Sequence, residues 1–74
     1  MNKRIIGDRL RELRGSRSRE EVAVAAKVTA NAIWMYEAGQ RCPNDVTKVR
    51  LADYFGKTVE DIFYQRESTG VDNR

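Results

Sequence analysis

The side chains that could carry acid–base or nucleophilic chemistry in this chain are two carboxylate pairs, Glu20-Glu21 and Glu60-Asp61, and one thiol, Cys42. The chain contains no histidine, which removes the commonest general acid–base and the commonest metal ligand. Each carboxylate pair lies where a helix is predicted to begin, and there negative charge interacts favourably with the helix dipole. A single cysteine allows neither an internal disulfide nor a multi-cysteine zinc site, so we expect Cys42 to be a bystander. We therefore predict no catalytic residue, no metal site and no cofactor.

Basic residues are concentrated at the start of the chain, where their chemistry is the binding of anions. The chain has 14 Lys and Arg against 11 Asp and Glu, a net charge of +3. Residues 1–19 contain seven basic and two acidic residues and carry +5, whereas residues 20–74 carry −2. A polyanion, either nucleic acid or an acidic membrane surface, would meet this end first, although a solvated helix face gives the same pattern.

The length of 74 residues allows one domain with a small core. No stretch approaches the roughly 18 apolar residues of a membrane-spanning helix, and the first 15 residues lack the apolar segment of a signal peptide. We expect a cytoplasmic protein that is not an enzyme.

Polar residues that start helices and glycines that end them divide the first half of the chain into three helices. The first has apolar residues on one face and is followed by a glycine. Ser18 and Glu21 predict a capping box at the start of the second, over about residues 18–26. Thr29 caps a third over residues 29–37. Ile6, Leu10 and Leu13 share one face of the first helix, and the predicted buried side chains of the next two are Val22, Ala23, Ala26, Ile33 and Tyr36.

The second half of the chain predicts two more helices. Asn44 caps the fourth, and Thr58 with Asp61 predicts a capping box for the fifth. In the fourth helix Val49, Ala52 and Phe55 line the predicted buried stripe, with Leu51 beside it, and Val59, Ile62 and Phe63 form the short fifth helix. Nothing predicts a strand, so we expect an all-α domain over residues 1–64 and a disordered polar tail over residues 65–74.

The second and third helices are joined by only a few residues, as in a helix-turn-helix unit. The residues that strengthen this interpretation are Ser18-Arg-Glu-Glu-Val-Ala23, Val28-Thr29, Ile33, Tyr36-Glu37-Ala-Gly39, Pro43 and Ala52. In this order and spacing they resemble the Cro/repressor-type (Xre-type) helix-turn-helix family, over residues 6–63. The resemblance implies a compact five-helix, lambda-repressor-like domain that binds duplex DNA and regulates transcription, and we expect a repressor.

The resemblance identifies residues 29–37 as the recognition helix, which enters the major groove. The side chains implied to contact bases are Ala30, Asn31, Trp34 and Met35. The Asn31 amide can donate and accept at an adenine edge, whereas Ala30 and Met35 offer apolar contact, for instance to a thymine methyl. An indole exposed on a helix face is costly to solvate. We therefore expect Trp34 to be covered by DNA, by a partner protein or by the domain itself. Because the helix has no arginine, discrimination depends on A·T pairs, backbone register and DNA shape.

Phosphate contacts are implied at both ends of the recognition helix. They fall on Arg17, Arg19, Thr29, Gln40 and Arg41. At Arg19 the family commonly has glutamine, and arginine would keep the contact and add charge at a helix N-terminus that already favours an anion. Ordinary surface charge remains the alternative for the three arginines.

Two further positions concern the geometry of the unit. The resemblance implies a structural ion pair between Arg14 of the first helix and Glu37 of the recognition helix. Lys27 occupies the turn position where the family usually has glycine. If that position needs a positive φ, a residue with a Cβ costs roughly 1 kcal/mol there.

The implied partners are an inverted-repeat operator and a second copy of the chain, in a dimer that forms appreciably only on DNA. The fourth and fifth helices are the predicted dimer surface, with Tyr64 exposed and Phe63 either exposed or completing the core. The alternative is a protein-interaction module of the same fold, antitoxin-like or anti-repressor, that uses the Trp34 and Met35 face, because aromatic and Met residues are enriched at interfaces.

Overall fold

The computed structural model describes residues 2–64, which form five α-helices and no β-strand. The helices are α1 (Lys3–Arg14), α2 (Arg19–Ala26), α3 (Ala30–Glu37), α4 (Asp45–Phe55) and α5 (Val59–Phe63). The predicted all-α fold is confirmed. The predicted polar tail, residues 65–74, lies outside the described residues. None of the helices in the described range is long and apolar enough to cross a membrane.

Each helix begins at a polar residue whose side-chain oxygen accepts a hydrogen bond from the backbone N–H three residues on. These residues are Asn2, Ser18, Thr29, Asn44 and Thr58. At α5 the Thr58 N–H donates back to Asp61 Oδ2 at 3.3 Å, which completes the predicted capping box. At α2 only one of the two hydrogen bonds of the predicted capping box forms. Ser18 accepts from the Glu21 N–H, but the Glu21 carboxylate accepts from the hydroxyl of Tyr54 on α4, at 2.9 Å.

The core lies where the five helices meet. α1 packs on α3, α2 packs on α3 and α4, and α5 packs on α4 and α1. The buried apolar residues are Ile6, Leu10, Val22, Ala23, Ala26, Ile33, Tyr36, Leu51, Ala52, Ile62 and Phe63. Phe63 is therefore a core residue and is not available to a dimer surface.

The predicted buried stripe of α4 is wrong at Val49, whose side chain is 50% exposed. Thr47, Leu51 and Ala52 face the core instead. Thr47 and Leu51 are four residues apart and lie on one face, and residue 49, which is two positions from each, neighbours only Ala52 at the edge of that face. Phe55 is only partly buried.

Candidate nucleic-acid interface

Helices α2 and α3 are joined by residues 27–29, and hydrogen bonds close both helix ends at this turn. Lys27 ends α2 in the left-handed conformation, with φ 60° and ψ 44°. The Val28 N–H donates to the Ala23 carbonyl at 3.0 Å, and Thr29 Oγ1 accepts from the Ala32 N–H at 3.0 Å. These bonds satisfy backbone groups that a helix end otherwise leaves unpaired, so they fix the direction in which α3 leaves the turn.

The outer face of α3 combines an amide, an indole and a thioether. Its two predicted core residues are buried, which turns Asn31 and Trp34 towards solvent, with Trp34 43% exposed. Met35 is half-buried, and its sulfur accepts a hydrogen bond from Asn31 Nδ2 at 3.7 Å. Ala30 is also half-buried and packs against the core, so it presents less surface than the other three.

The polar residues predicted at the two ends of α3 lie on the surface. Thr29 is exposed at the N-terminal end, where its hydroxyl caps the helix. Gln40 and Arg41 are exposed beyond the C-terminal end, and the Gln40 N–H donates to the Met35 carbonyl at 3.0 Å. Cys42 is an exposed free thiol beside them. The side chains of Gln40 and Arg41 are therefore open to an anion on that side of α3.

Arg17, predicted to contact a phosphate, lies against the two aromatic residues that end α4. Its guanidinium carbon is 5.3 Å from the centre of the Tyr54 ring and 5.6 Å from that of Phe55. A cation over the face of an aromatic ring is held by the ring quadrupole. Desolvation raises the pKa of the Tyr54 hydroxyl, and its hydrogen bond to the Glu21 carboxylate raises it further. Arg17 and Glu21 thus tie the start of α2 to α4.

The buried carboxylate of Glu37, at the end of α3, accepts hydrogen bonds from two arginines. Arg14 donates from Nε to Oε2 at 2.6 Å and from Nη2 to Oε1 at 3.1 Å. Arg19 donates from Nε to Oε1 at 3.1 Å. The hydrogen bonding and the negative charge of Glu37 raise the pKa of the Arg14 guanidinium. The carboxylate therefore joins α1, α2 and α3.

Sequence reasoning missed two α1 residues that contact the end of α3. Gly7 lies against the backbone carbonyls of Tyr36 and Glu37, and Arg11 Nη2 donates to the Glu37 carbonyl at 3.4 Å. A signal for Gly7 was available in the sequence. Glycine inside a helix costs about 0.5–1 kcal/mol relative to alanine, so glycine beside a predicted core residue indicates a close approach of another backbone.

The comparisons with known proteins agree with this arrangement. The profile of a family described as helix-turn-helix domain matches residues 5–62. The chain is also similar to the restriction-modification controller protein C.AhdI from Aeromonas hydrophila. Identity is 28% over 82% of this chain and 96% of that chain, with a TM-score of 0.75. No curated protein sequence matches this chain.

Proposed function

The chain belongs to the Cro/repressor-type (Xre-type) helix-turn-helix family of DNA-binding transcriptional regulators, and we propose that it places α3 in the major groove of an operator and represses transcription. The observation that carries this proposal is the outer face of α3. Asn31 and Trp34 are exposed there, while Thr29 at one end and Gln40 and Arg41 at the other are also exposed.

In the proposed complex the α3 side chains make different kinds of contact with the bases. The Asn31 amide reads an adenine edge, since it can donate and accept together. Met35 and the exposed part of Ala30 make apolar contact, for instance with a thymine methyl. Trp34 is covered by the DNA. Arg17, Arg19, Thr29, Gln40 and Arg41 contact phosphates and so fix the register of α3 without reading sequence.

We also propose that two copies bind an inverted repeat, with half-sites about one helical turn apart. Apolar side chains exposed on α4 support a dimer surface there, Val46 being 56% and Val49 50% exposed. Tyr64, which follows α5, is also exposed, and it lies beside α4 because Lys48 Nζ donates to its hydroxyl at 3.0 Å. Sedimentation of the free protein at micromolar concentration should show monomer, with dimer only on operator DNA. A dimer in the free protein would refute the DNA-dependent assembly.

Similarity to a restriction-modification controller protein supports a regulatory role for this chain. The family consists of regulators, and we propose that this member has no catalytic activity, needs no cofactor and acts in the cytoplasm. The alternative, a protein-interaction module that uses Trp34 and Met35, is not favoured by the family match or by the controller protein's similarity.

The test is the binding of the purified protein to the DNA upstream of its own gene, measured by fluorescence anisotropy at two salt concentrations. A scrambled duplex of the same length is the control. We expect tighter binding to the native duplex, with log affinity falling by about 0.9 per contacted phosphate for each unit of log salt.

The charge-matched control variant for this test is Lys57→Ala. Lys57 is exposed and lies in a cleft with Arg9 and Asp61, on the α1 and α5 side of the domain. Its replacement should leave the salt dependence unchanged, whereas Arg41→Ala should lower it. Affinity that is independent of both salt and sequence would contradict the proposal.

A further inference from the structure

The carboxylate of Glu37 is the most deeply buried charge on the helix-turn-helix unit. Its side chain is 2% exposed, against 15% for Arg14 and 38% for Arg19. A buried carboxylate requires hydrogen-bonded cationic partners, because desolvation of an unpaired charge is costly. Glu37 has these partners on two other helices. The two arginines differ in how many of their guanidinium nitrogens are hydrogen-bonded within the domain.

Arg14 uses all three of its guanidinium nitrogens within the domain. Nε and Nη2 donate to Glu37, and Nη1 donates to the Arg17 carbonyl at 2.8 Å. Arg14 therefore also holds the loop that leads into α2. Its low exposure leaves little of it for a ligand.

Arg19 uses only Nε. Its single hydrogen bond to the residues of the described range runs from Nε to Glu37 Oε1, and the other four N–H donors, on Nη1 and Nη2, point to no protein acceptor there. The guanidinium is a rigid planar fork, so holding Nε also restricts the direction in which both Nη groups point. This free edge has the geometry of a bidentate phosphate contact.

We propose that Glu37 is a positioning residue for phosphate binding by Arg19. The carboxylate holds Nε so that the Nη1–Nη2 edge faces the DNA backbone before DNA arrives. A buried group on the recognition helix thereby sets the phosphate contact of α2, and that contact and the orientation of α3 become coupled. This inference rests on the proposed function, and it concerns how the phosphate contact is made rather than whether DNA is bound.

The test is a double-mutant cycle on operator binding with Arg19→Lys, Glu37→Gln and the double variant. Lysine keeps the charge of residue 19 but lacks the fork, and glutamine keeps the shape of residue 37 but lacks the charge. We expect each single change to weaken binding about tenfold, as the loss of one charge-assisted hydrogen bond does. The double variant should bind within about threefold of the weaker single variant, because both changes remove the same contact.

The matched control is the same cycle with Arg41→Lys in place of Arg19→Lys. Arg41 is also proposed to contact a phosphate, but it is not bonded to Glu37. The Arg41 and Glu37 changes should therefore multiply, giving a loss of about a hundredfold. A hundredfold loss in the Arg19 cycle as well would overturn the inference, since Glu37 would then act only by holding the fold.

A second measurement on the unaltered protein covers the case in which Glu37→Gln does not fold. The Arg19 Nε–H signal in nitrogen-15 NMR should exchange slowly with water in the free protein and stay unchanged when operator DNA is added, while the Nη rotation slows. Release of Nε on DNA binding would show that Arg19 leaves Glu37, which overturns the inference. Unaltered protein that binds no duplex DNA would overturn the proposed function itself.

Discussion

Gly7 of α1 lies directly against the backbone carbonyl of Glu37 at the end of α3. A Cβ on residue 7 would come within 2.5 Å of the Glu37 oxygen and 2.6 Å of the Tyr36 oxygen. Real Cβ atoms do not approach backbone oxygens this closely, so only glycine fits without a shift of one helix. The same end of α3 is held by the Arg14–Glu37 ion pair, at 2.6 Å. A backbone contact and a charged contact thus act together to fix the recognition helix.

Gly7→Ala is expected to destabilise the domain by about 1–3 kcal/mol, the cost typical of overpacking. Helix propensity alone predicts the opposite sign, a gain of about 1 kcal/mol. Thermal unfolding measures the difference. Asp8→Ala is the control, since residue 8 is exposed on the same helix. A stabilised Gly7→Ala variant would show that α1 and α3 do not approach each other this closely in solution.

Lys27→Gly is expected to stabilise the domain. Lys27 has a φ of 60°, and glycine adopts this conformation without the Cβ strain of roughly 1 kcal/mol. A gain of 1 kcal/mol raises the Tm of a domain this size by about 4–8 °C. Lys27→Ala is the control, because alanine removes the long side chain and keeps the Cβ. A lower Tm for the glycine variant than for the unaltered protein would contradict the prediction.

Asn31→Ala is expected to reduce the preference for the operator over a scrambled duplex by about 1–3 kcal/mol, because a bidentate base contact is lost. The slope of log affinity against log salt should not change, since Asn31 carries no charge. Arg41→Ala gives the opposite pattern, an even loss on both duplexes and a slope smaller by about 0.9. Loss of salt dependence with Asn31→Ala would mean that its amide does not read bases.

Trp34 is the single tryptophan of the chain and reports directly on the outer face of α3. Being 43% exposed, it should be quenched readily by acrylamide in the free protein. Operator DNA should protect it, since the proposed complex covers this face. The scrambled duplex at the same salt concentration is the comparison. Equal quenching with and without bound operator would place Trp34 outside the DNA interface.

Tyr54 is expected to ionise at a higher pH than an unperturbed phenol, because desolvation and the bond to Glu21 raise its pKa. The folded state then retains the proton more tightly than the unfolded state. This contribution to stability is complete below about pH 10, where an unperturbed phenol titrates, and is lost as pH rises through the folded pKa.

Ultraviolet titration of the phenols measures this pKa, and Tyr54→Phe identifies the Tyr54 phase by its disappearance. Glu21→Gln should lower the pKa of Tyr54, because the charged carboxylate that accepts the hydrogen bond of its hydroxyl is removed. An unchanged titration in Glu21→Gln would mean that the bond across α2 and α4 does not form in solution.

The sequence predicted where helices α2 to α5 begin. The Ser18, Thr29, Asn44 and Thr58 side chains bond to backbone N–H groups three residues away, and such local bonds need no tertiary context. The left-handed turn at Lys27 was likewise expected from the family pattern. Composition and residue order also determined the all-α class, and the pattern of helix-turn-helix residues determined the family.

Tertiary structure decided the partners of side chains far apart in sequence. Glu21 bonds to Tyr54, which is 33 residues away, rather than closing its own capping box. Arg19, 18 residues from Glu37, shares that carboxylate with Arg14 instead of standing free on the surface. Val49 is exposed because α4 packs with the face of Thr47 and Leu51 towards the core. Helix periodicity limits which residues share a face, but only the packing of whole helices determines which face is buried and which groups on different helices come within hydrogen-bond distance.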